Sequence, residues 1–305
     1  MSASKYDTDV DPGSNSSHAL MLRLVGANKK VLDVGCATGY LARALGEQGC
    51  RVSGVEFDPA AAREAAPALE RIVIGDLDTI DLPAEFADSQ FDVVVFGDVL
   101  EHLRDPLLLL RSVRGMLAPG GSVVISVPNI AHGDVRLSLL QGRFDYRDLG
   151  LLDSTHIRFF TRDSLRSFLE DAGFIAVDVQ TTTADLLTTE LADAARGADP
   201  AVIERLREDV DATTYQFVVR AVRDDAVQLA ADAAWRASEM DRQLAAAQDD
   251  VRRLEVELDA AREAAEAERA RAQAAEDHVA ALMSTKAMRS MRLPRAAWTR
   301  LRGGR

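Results

Sequence analysis

The sequence is poor in cysteine and aromatic residues, and it lacks long hydrophobic runs. Its only cysteines, Cys36 and Cys50, cannot build a disulfide framework, which excludes the small disulfide-stabilised secreted domains. No signal peptide is recognisable, and no apolar run approaches the roughly 18 residues of a membrane-spanning helix. These absences predict a cytoplasmic protein.

Basic charge is also scarce over most of the chain. The 36 lysines and arginines face 49 acidic residues, and the formal net charge is −13. Nucleic-acid binding requires a basic face, so we expect no nucleic-acid partner. Residues 281–305 reverse the balance and mix arginine with methionine, leucine and tryptophan. This basic tail suits either a solvated end or an acidic partner, such as the inner face of a membrane.

Glycine and proline are absent between Pro200 and Pro294. Within this stretch apolar residues recur at heptad spacing over residues 237–282, with Glu268 as the interruption. The pattern predicts a coiled coil over residues 224–288 that joins two or more copies of the chain, most simply a dimer. The alternative is a solitary charged helix, because alanine-rich seams bury little area.

The stretch 31–40 (VLDVGCATGY) reads as a buried strand, a turn of small residues and the start of a helix. Gly35 and Gly39 suit the turn because a Cβ there would block a ligand or occupy positive φ. Glu56 ends the next apolar strand, where its carboxylate can accept hydrogen bonds from two ribose hydroxyl groups. This arrangement predicts a site for a nucleotide-like ligand. The glycines are not in the register of nicotinamide-dependent dehydrogenases.

Strands and helices alternate from residue 30 to about 182 at the spacing of α/β proteins. A disordered N-terminus over 1–17, a domain over 18–223, the coiled coil and a basic tail over 289–305 complete the predicted organisation. The predicted strands are 30–34, 51–56, 71–75, 91–97, 122–127, 174–180 and 215–222, and the predicted helices are about 39–49, 59–68, 105–117 and 162–172.

Five blocks together resemble the signatures of S-adenosylmethionine-dependent methyltransferases with the Rossmann-like fold. The resemblance implies an α/β fold with a seven-stranded, mostly parallel sheet, helices on both faces and an antiparallel last strand. Ala37 stands where many members carry glycine, a change that negative φ would tolerate. The blocks are the Asp33-to-Gly39 turn, Glu56, Gly75-Asp76, the strand 91–95 and Leu117-x-Pro119-Gly120-Gly121.

The resemblance also implies S-adenosylmethionine as the cofactor and a role for each matching residue. Asp33 would accept a hydrogen bond from the cofactor's ammonium group, Glu56 would accept hydrogen bonds from the ribose hydroxyls, and Asp76 would accept one from the adenine amine. Leu77 would flank the adenine ring, and Asp98 would line the methyl-transfer cavity. The complete set of expected cofactor residues is Asp33, Gly35, Ala37, Gly39, Glu56, Asp76, Leu77 and Asp98.

Three further stretches, 126–132, 140–146 and 151–161, are similar to bacterial methyltransferases that accompany glycosyltransferases in polysaccharide assembly. This similarity implies methylation of a sugar hydroxyl in a glycan or glycosylated intermediate. A hydroxyl is a poor nucleophile until a base removes its proton. His132, His156 and Asp153 are the expected catalytic residues, with Asn129 and Arg158 nearby.

Two other functions remain open from the sequence. The enzyme could methylate a quinone, phenol or carboxylate, or the domain could bind S-adenosylmethionine as a scaffold that works through its coiled coil. The pair Glu101-His102 follows the fourth strand and either orders its loop or takes part in catalysis. No pair of residues shows clear metal-ligand spacing, and we predict no metal.

Overall fold

A computed structural model of the chain describes residues 13–225 and 228–284. It divides into one unit that ends at Ala246 and a second that begins at Ala247. Most of the segment expected to be disordered, 1–12, and all of the basic tail, 289–305, lie outside the described residues.

Seven strands form one sheet in the spatial order β3-β2-β1-β4-β5-β7-β6. All neighbouring pairs are parallel except those of β7, which runs antiparallel to β5 and β6. This order confirms the predicted sheet and its antiparallel last strand. The strands are β1 (Lys30–Val34), β2 (Arg51–Glu56), β3 (Arg71–Ile74), β4 (Phe91–Gly97), β5 (Leu117–Pro128), β6 (Phe174–Thr183) and β7 (Thr214–Arg223).

Helices connect the strands and follow the last one. Several helices begin with an aspartate whose side chain accepts a hydrogen bond from a backbone N of the first turn. Proline follows this aspartate, and it is tolerated there because the backbone N–H at the first helical position has no partner within the helix. The helices are α1 (Ser17–Val25), α2 (Tyr40–Glu47), α3 (Pro59–Ala65), α4 (Leu82–Glu85), α5 (Pro106–Val113), α6 (Gly133–Leu140), α7 (Arg162–Asp171), α8 (Ala192–Ala195), α9 (Pro200–Arg207), α10 (Val210–Thr213) and α11 (Gln228–Ser284).

Both faces of the sheet are buried. Alternate residues of a strand point to opposite faces, so Leu32 and Val34 join one apolar cluster while Val31 joins the other. Helices α5 and α7 cover the first cluster, and α1 and α2 cover the second. Burial on both faces explains why the central strands read as continuous apolar runs.

The carboxyl ends of four strands meet at one edge. Val34 pairs with Val55 on one side and with Phe96 on the other, and Gly97 pairs with Ser126. The residues that follow these strands therefore lie side by side, at the edge where open α/β sheets bind their ligands.

A buried carboxylate ties two long connections together beside this edge. Asp134 at the start of α6 accepts from the backbone N of Leu187 at 2.6 Å and from the Thr189 Oγ1 at 2.6 Å. Glu190 accepts from the backbone N of Leu151 at 2.6 Å and from the Tyr215 hydroxyl at 3.0 Å. The connection between β6 and β7 thus braces the connection that follows β5.

Helix α11 is continuous, as expected for the segment after the domain. The coiled coil itself stays a prediction. Among the described residues, no helix combines the length and apolarity needed to cross a membrane.

Candidate active site

A cavity of about 720 Å³ opens at the carboxyl edge of the sheet. Its wall combines turns from β1, β2 and β4 with the connection after β5 and the start of β7. The lining residues are His18, Gly35, Ala37, Tyr40, Glu56, Phe57, Asp58, Ala61, Gly97, Asp98, Glu101, His102, Pro128, Leu149, Gly150, Asp153, Thr155, His156, Tyr215 and Gln216.

The turn after β1 packs closely against the segment that follows β4. Gly35 has φ of 81°, and a Cβ there would lie 2.6 Å from the Cγ2 of Val99. Asp33 is buried beneath this turn, and its Oδ2 has no hydrogen-bond partner. Burial, with a smaller contribution from Glu56, raises the pKa of Asp33 to about 7. A ligand cation beside Asp33 would compensate this carboxylate.

Glu56 is held in one orientation by the backbone. Its Oε2 accepts from the backbone N of Ala37 at 2.9 Å, and its Oε1 accepts from the backbone N of Asp58 at 2.9 Å. A carboxylate oxygen accepts more than one hydrogen bond, so both oxygens can still receive ligand hydroxyls. The half-buried side chain lines the cavity, as a ribose-binding glutamate should.

Ala37 corrects one expectation. Its φ is +46°, in the left-handed region, whereas the sequence argument required a negative value. The turn must bring the Ala37 backbone N to Glu56, and this need outweighs the steric cost of a Cβ at positive φ. Gly39, with φ of 78°, starts α2 where a Cβ would lie 2.9 Å from the Ala65 Cα.

Asp98 lines the cavity, as expected, directly after β4. Its Oδ1 accepts from the Ser126 Oγ at 2.6 Å and from the Gln216 Nε2 at 2.9 Å. Its backbone, at φ of 54°, adopts a conformation that aspartate tolerates better than most residues. Asp98 is therefore fixed by β5 and β7 together.

Asp76 and Leu77 lie beyond β3, outside the lining of this cavity. The Oδ1 of exposed Asp76 accepts from the backbone N of Asp78 at 3.0 Å, and Leu77 packs against the core. Their expected contacts with adenine stay predictions.

Glu101, His102 and His156 form a cluster opposite the glycine turn. One ligand atom of each lies within 4.8 Å of those of the other two, and the two imidazole centroids are 4.7 Å apart. Burial, with a smaller contribution from Asp98, raises the pKa of Glu101 well above its ordinary value. The sequence left Glu101 and His102 without a definite role, because their partner His156 is distant in the chain.

His156 and Asp153 both line the cavity, and their catalytic roles stay predictions. Burial, followed by the charge of His102, lowers the pKa of His156. The imidazole is therefore neutral near neutral pH and can accept a proton. Asp153 accepts from the Thr155 backbone N at 2.9 Å and from its Oγ1 at 2.6 Å.

His132 is not among the residues that line the cavity. Its Nδ1 accepts from the backbone N of Asp134 at 3.1 Å as the N-cap of α6, and its Nε2 lies 3.0 Å from the carbonyl oxygen of Ala184. Both ring nitrogens are engaged within the protein, which is typical of a structural histidine, and the expected catalytic role stays a prediction.

The side chains of Asn129 and Arg158 also hydrogen-bond to the protein's own backbone. The Asn129 Nδ2 donates to the carbonyl oxygens of Asp211 and Thr214 at 2.8 and 2.9 Å. Arg158 donates to the Arg104 carbonyl.

Sequence analysis missed several lining residues, among them His18, Phe57, Tyr215 and Gln216. Phe57 directly follows Glu56, and this adjacency was the available signal. Burial, together with Glu190, raises the pKa of Tyr215, so its hydroxyl stays protonated and can donate. Nothing in the sequence places His18 or β7 at this edge, because they meet it only through the fold.

Comparison with known proteins identifies the family. A family model described as a methyltransferase domain matches residues 16–179, more than half of the chain. The ubiquinone biosynthesis O-methyltransferase of Psychrobacter arcticus is 31% identical over 158 residues, covering 50% of this chain and 62% of that protein. The same-named protein of Pseudomonas aeruginosa strain UCBPP-PA14 is 31% identical over 175 residues, covering 53% and 71%. These names lend no support to the resemblance to glycan-associated enzymes.

The solved structure of one similar protein supports the fold. A candidate methyltransferase of Bacillus halodurans C-125 has a TM-score of 0.50 at 17% identity and covers 68% of this chain and 98% of its own. An S-adenosylmethionine-dependent methyltransferase of Mesorhizobium loti is 21% identical, covers 69% and 99%, and has a TM-score of 0.45.

The turn fits the cofactor that this family uses. The partnerless Oδ2 of Asp33 suits the ammonium group, Gly35 lines the cavity without a side chain that would obstruct the methionyl chain, and oriented Glu56 suits the ribose. The chain belongs to the methyltransferase-domain family and is an S-adenosylmethionine-dependent methyltransferase with the Rossmann-like fold.

Proposed function

We propose that the protein methylates a hydroxyl group of a small aromatic acceptor, a phenol or hydroquinone. The observation that carries this proposal is the composition of one cavity wall, where His156 and Asp153 stand beside apolar and aromatic side chains. Leu149 and Tyr215 supply surfaces for a flat ring. The relatives named for ubiquinone biosynthesis support an acceptor of the same class.

Bound S-adenosylmethionine supplies an electrophilic methyl group on a sulfonium. The protein's task is then to hold the acceptor oxygen in line with that group and to take up its proton. Glu56 and Asp33 orient the cofactor from one side of the cavity. Asp98, fixed by Ser126 and Gln216, lines the same cavity.

The acceptor's proton passes to the wall formed by His156 and Asp153. Burial keeps His156 neutral, so its imidazole can accept this proton. The protonated Tyr215 hydroxyl already donates to Glu190 at 3.0 Å, which fixes its ring at the cavity wall. A phenol ionises more readily than a sugar hydroxyl, so a moderate base is sufficient.

The test uses the full-length protein with radiolabelled S-adenosylmethionine and four acceptor classes: catechols, hydroquinones, benzoates and nucleotide sugars. We expect label in the ether of a phenol or hydroquinone. His156→Ala should remove this transfer, whereas methylation of a benzoate carboxylate would need no base.

Transfer to a sugar alone would overturn the proposal and restore the glycan function. Transfer to benzoate that survives His156→Ala would identify a carboxylate acceptor instead. Tight binding of S-adenosylmethionine without transfer to any class would favour the scaffold function.

A further inference from the structure

The cluster of Glu101, His102 and His156 lies in the cavity wall and contains the donor types of a transition-metal site. One atom from each side chain lies within 4.8 Å of the others. Ligands around one zinc ion at about 2.1 Å are on the order of 3.4 Å apart, so side-chain movements of about 1 Å would close the set.

A second observation points to a bound cation. Glu101 is only 1% exposed, and neither of its carboxylate oxygens has a hydrogen-bond partner. The Nδ1 of His156 is likewise buried without a partner. Buried polar groups are otherwise nearly always satisfied, and a buried carboxylate is costly without a counter-charge. A cation between these atoms would satisfy all three at once.

The surroundings hold the ligands in place. The His102 Nδ1 lies 3.2 Å from the Thr155 carbonyl, which orients the ring and leaves its Nε2 available. The Glu101 carbonyl accepts from the backbone N of Ile157 and of Arg158, both at 2.9 Å. These contacts fasten the segment after β4 to the segment that carries His156, so the site is prepared by the backbone.

We propose that Glu101, His102 and His156 bind one divalent transition-metal ion, of the class of Zn²⁺, Mn²⁺ or Co²⁺. Two imidazoles and one carboxylate match the three-ligand sets that leave a coordination position open. The open position would face the cavity, which all three residues line. Asp98 and Asp153, also in the lining, make this wall attractive to a cation.

The role of the ion rests on the proposed function. An acceptor hydroxyl in the open position would ionise more easily, its proton leaving to solvent, and the resulting oxygen anion would stay bound beside the cofactor. In this loaded state His156 is a ligand, and the ion replaces it as the group that activates the hydroxyl.

Metal binding can be tested without acceptor or cofactor. Tag-free, full-length protein is stripped with a chelator, and Zn²⁺ is titrated by calorimetry while Co²⁺ is followed by its visible absorption. We expect one equivalent, an approximately 100-fold weaker affinity in Glu101→Gln and in His156→Ala, and no change in His278→Ala. His278 lies exposed on α11 and controls for casual binding by histidine.

Thermal unfolding keeps the test independent of folding defects. Zn²⁺ should raise the Tm of the wild type but not of Glu101→Gln, an isosteric change that removes the buried charge. Absence of saturable binding by the wild type, or wild-type affinity in Glu101→Gln and His156→Ala, would overturn the site. Full methyl transfer by the stripped protein would overturn the ion's role and leave the proposed function intact. Metal binding without transfer to any acceptor would overturn the proposed function and leave the metal site intact.

A separate observation concerns one face of α11. Large apolar side chains on this face are about half exposed and recur at heptad positions a and d. They are Val251 (54%), Leu254 (58%), Leu258 (50%), Val279 (57%) and Leu282 (48%).

We infer that this face packs against the same face of a second copy, in parallel and in register. In that arrangement position g of one helix meets position e of the next heptad in the other. Glu257 would then meet Arg262, and Arg271 would meet Glu276. The one like-charged pair involves Asp250, which already binds Arg253 in its own helix at 2.8 Å.

Sedimentation of the full chain tests the association. We expect a dimer that dissociates in Leu254→Asp and persists in Ala267→Asp, which introduces the same charge off the apolar face. Val279→Cys near the helix end should form an inter-chain disulfide only in the parallel arrangement. A monomeric wild type would overturn the inference, and a dimer that Val279→Cys does not cross-link would overturn its direction.

Discussion

The two walls of the cavity are built in different ways. The cofactor wall comes from two consecutive strand ends, and its main residues lie between Asp33 and Asp58. The opposite wall draws His18, Glu101, His156 and Tyr215 from four distant parts of the chain. The first wall is expected to bind the cofactor common to the family, and the second presents the groups proposed to select and activate the acceptor. The wall expected to bind the cofactor is thus built from residues close together in the sequence, whereas the wall proposed to select the acceptor is built from residues far apart in it.

Substitution of His156 is expected to have the largest effect on the acceptor wall alone. His156→Ala should lower kcat by about 100-fold or more, because it removes the proton acceptor or metal ligand while leaving the cofactor turn untouched. Steady-state kinetics with the active acceptor, alongside calorimetry with S-adenosylmethionine, separates the two walls. A parallel loss of cofactor affinity would contradict this division.

Glu56→Ala should produce the converse effect. Loss of two charge-assisted hydrogen bonds to ribose, and of the anchor for Ala37, should weaken S-adenosylmethionine binding by about 100-fold. Calorimetry gives the dissociation constant. Glu70→Gln, which removes an exposed carboxylate paired with Arg51 at 2.6 Å, is the matched control and should bind normally.

His132 tests whether a buried histidine near the acceptor wall is merely structural. His132→Ala loses the cap of α6 and the contact with Ala184, and the free energy of unfolding should fall by about 2 kcal/mol. His132→Asn retains a capping oxygen and should lose about half as much. Denaturant unfolding measures both, and a reduced kcat in folded His132→Asn would restore its catalytic role.

Asp33 should make stability depend on pH. Its folded pKa of about 7 exceeds the ordinary value of 3.8 for an aspartate, so between these values the folded protein retains a proton that the unfolded chain releases. Stability should therefore fall as pH rises through this window, by at most about 1.4 kcal/mol per unit. Denaturant unfolding of Asp33→Asn should show a flatter profile over the same window.

Ala37→Gly is the smallest expected change. Removing the Cβ at φ of +46° should relieve strain that exceeds the added flexibility of the unfolded chain, a net gain of about 0.5–1 kcal/mol. A raised Tm would support this account. Ala44→Gly, inside α2, should instead be destabilising.

The elements of the cofactor wall can be predicted from the sequence, whereas several of those in the acceptor wall cannot. The bounds of β1, β2 and β4 follow from their apolar runs and agree with the predicted ranges. Helix α6 escaped prediction because its buried residues surround the helix rather than follow one face. The partnership of Glu101 with His156 escaped because contacts between distant segments leave no periodic signal.

The hydrogen bonds of Asp134 make two segments of the chain depend on each other, so that they would have to be exchanged together between related proteins. Because one buried carboxylate fastens Leu187 and Thr189 to the start of α6, the segments 129–160 and 184–191 constitute a single exchangeable cassette. Grafting either segment alone into a related scaffold would strand the carboxylate. Grafting both would keep these hydrogen bonds intact, while Glu101, His102 and Tyr215 of the acceptor wall would still have to come from the host.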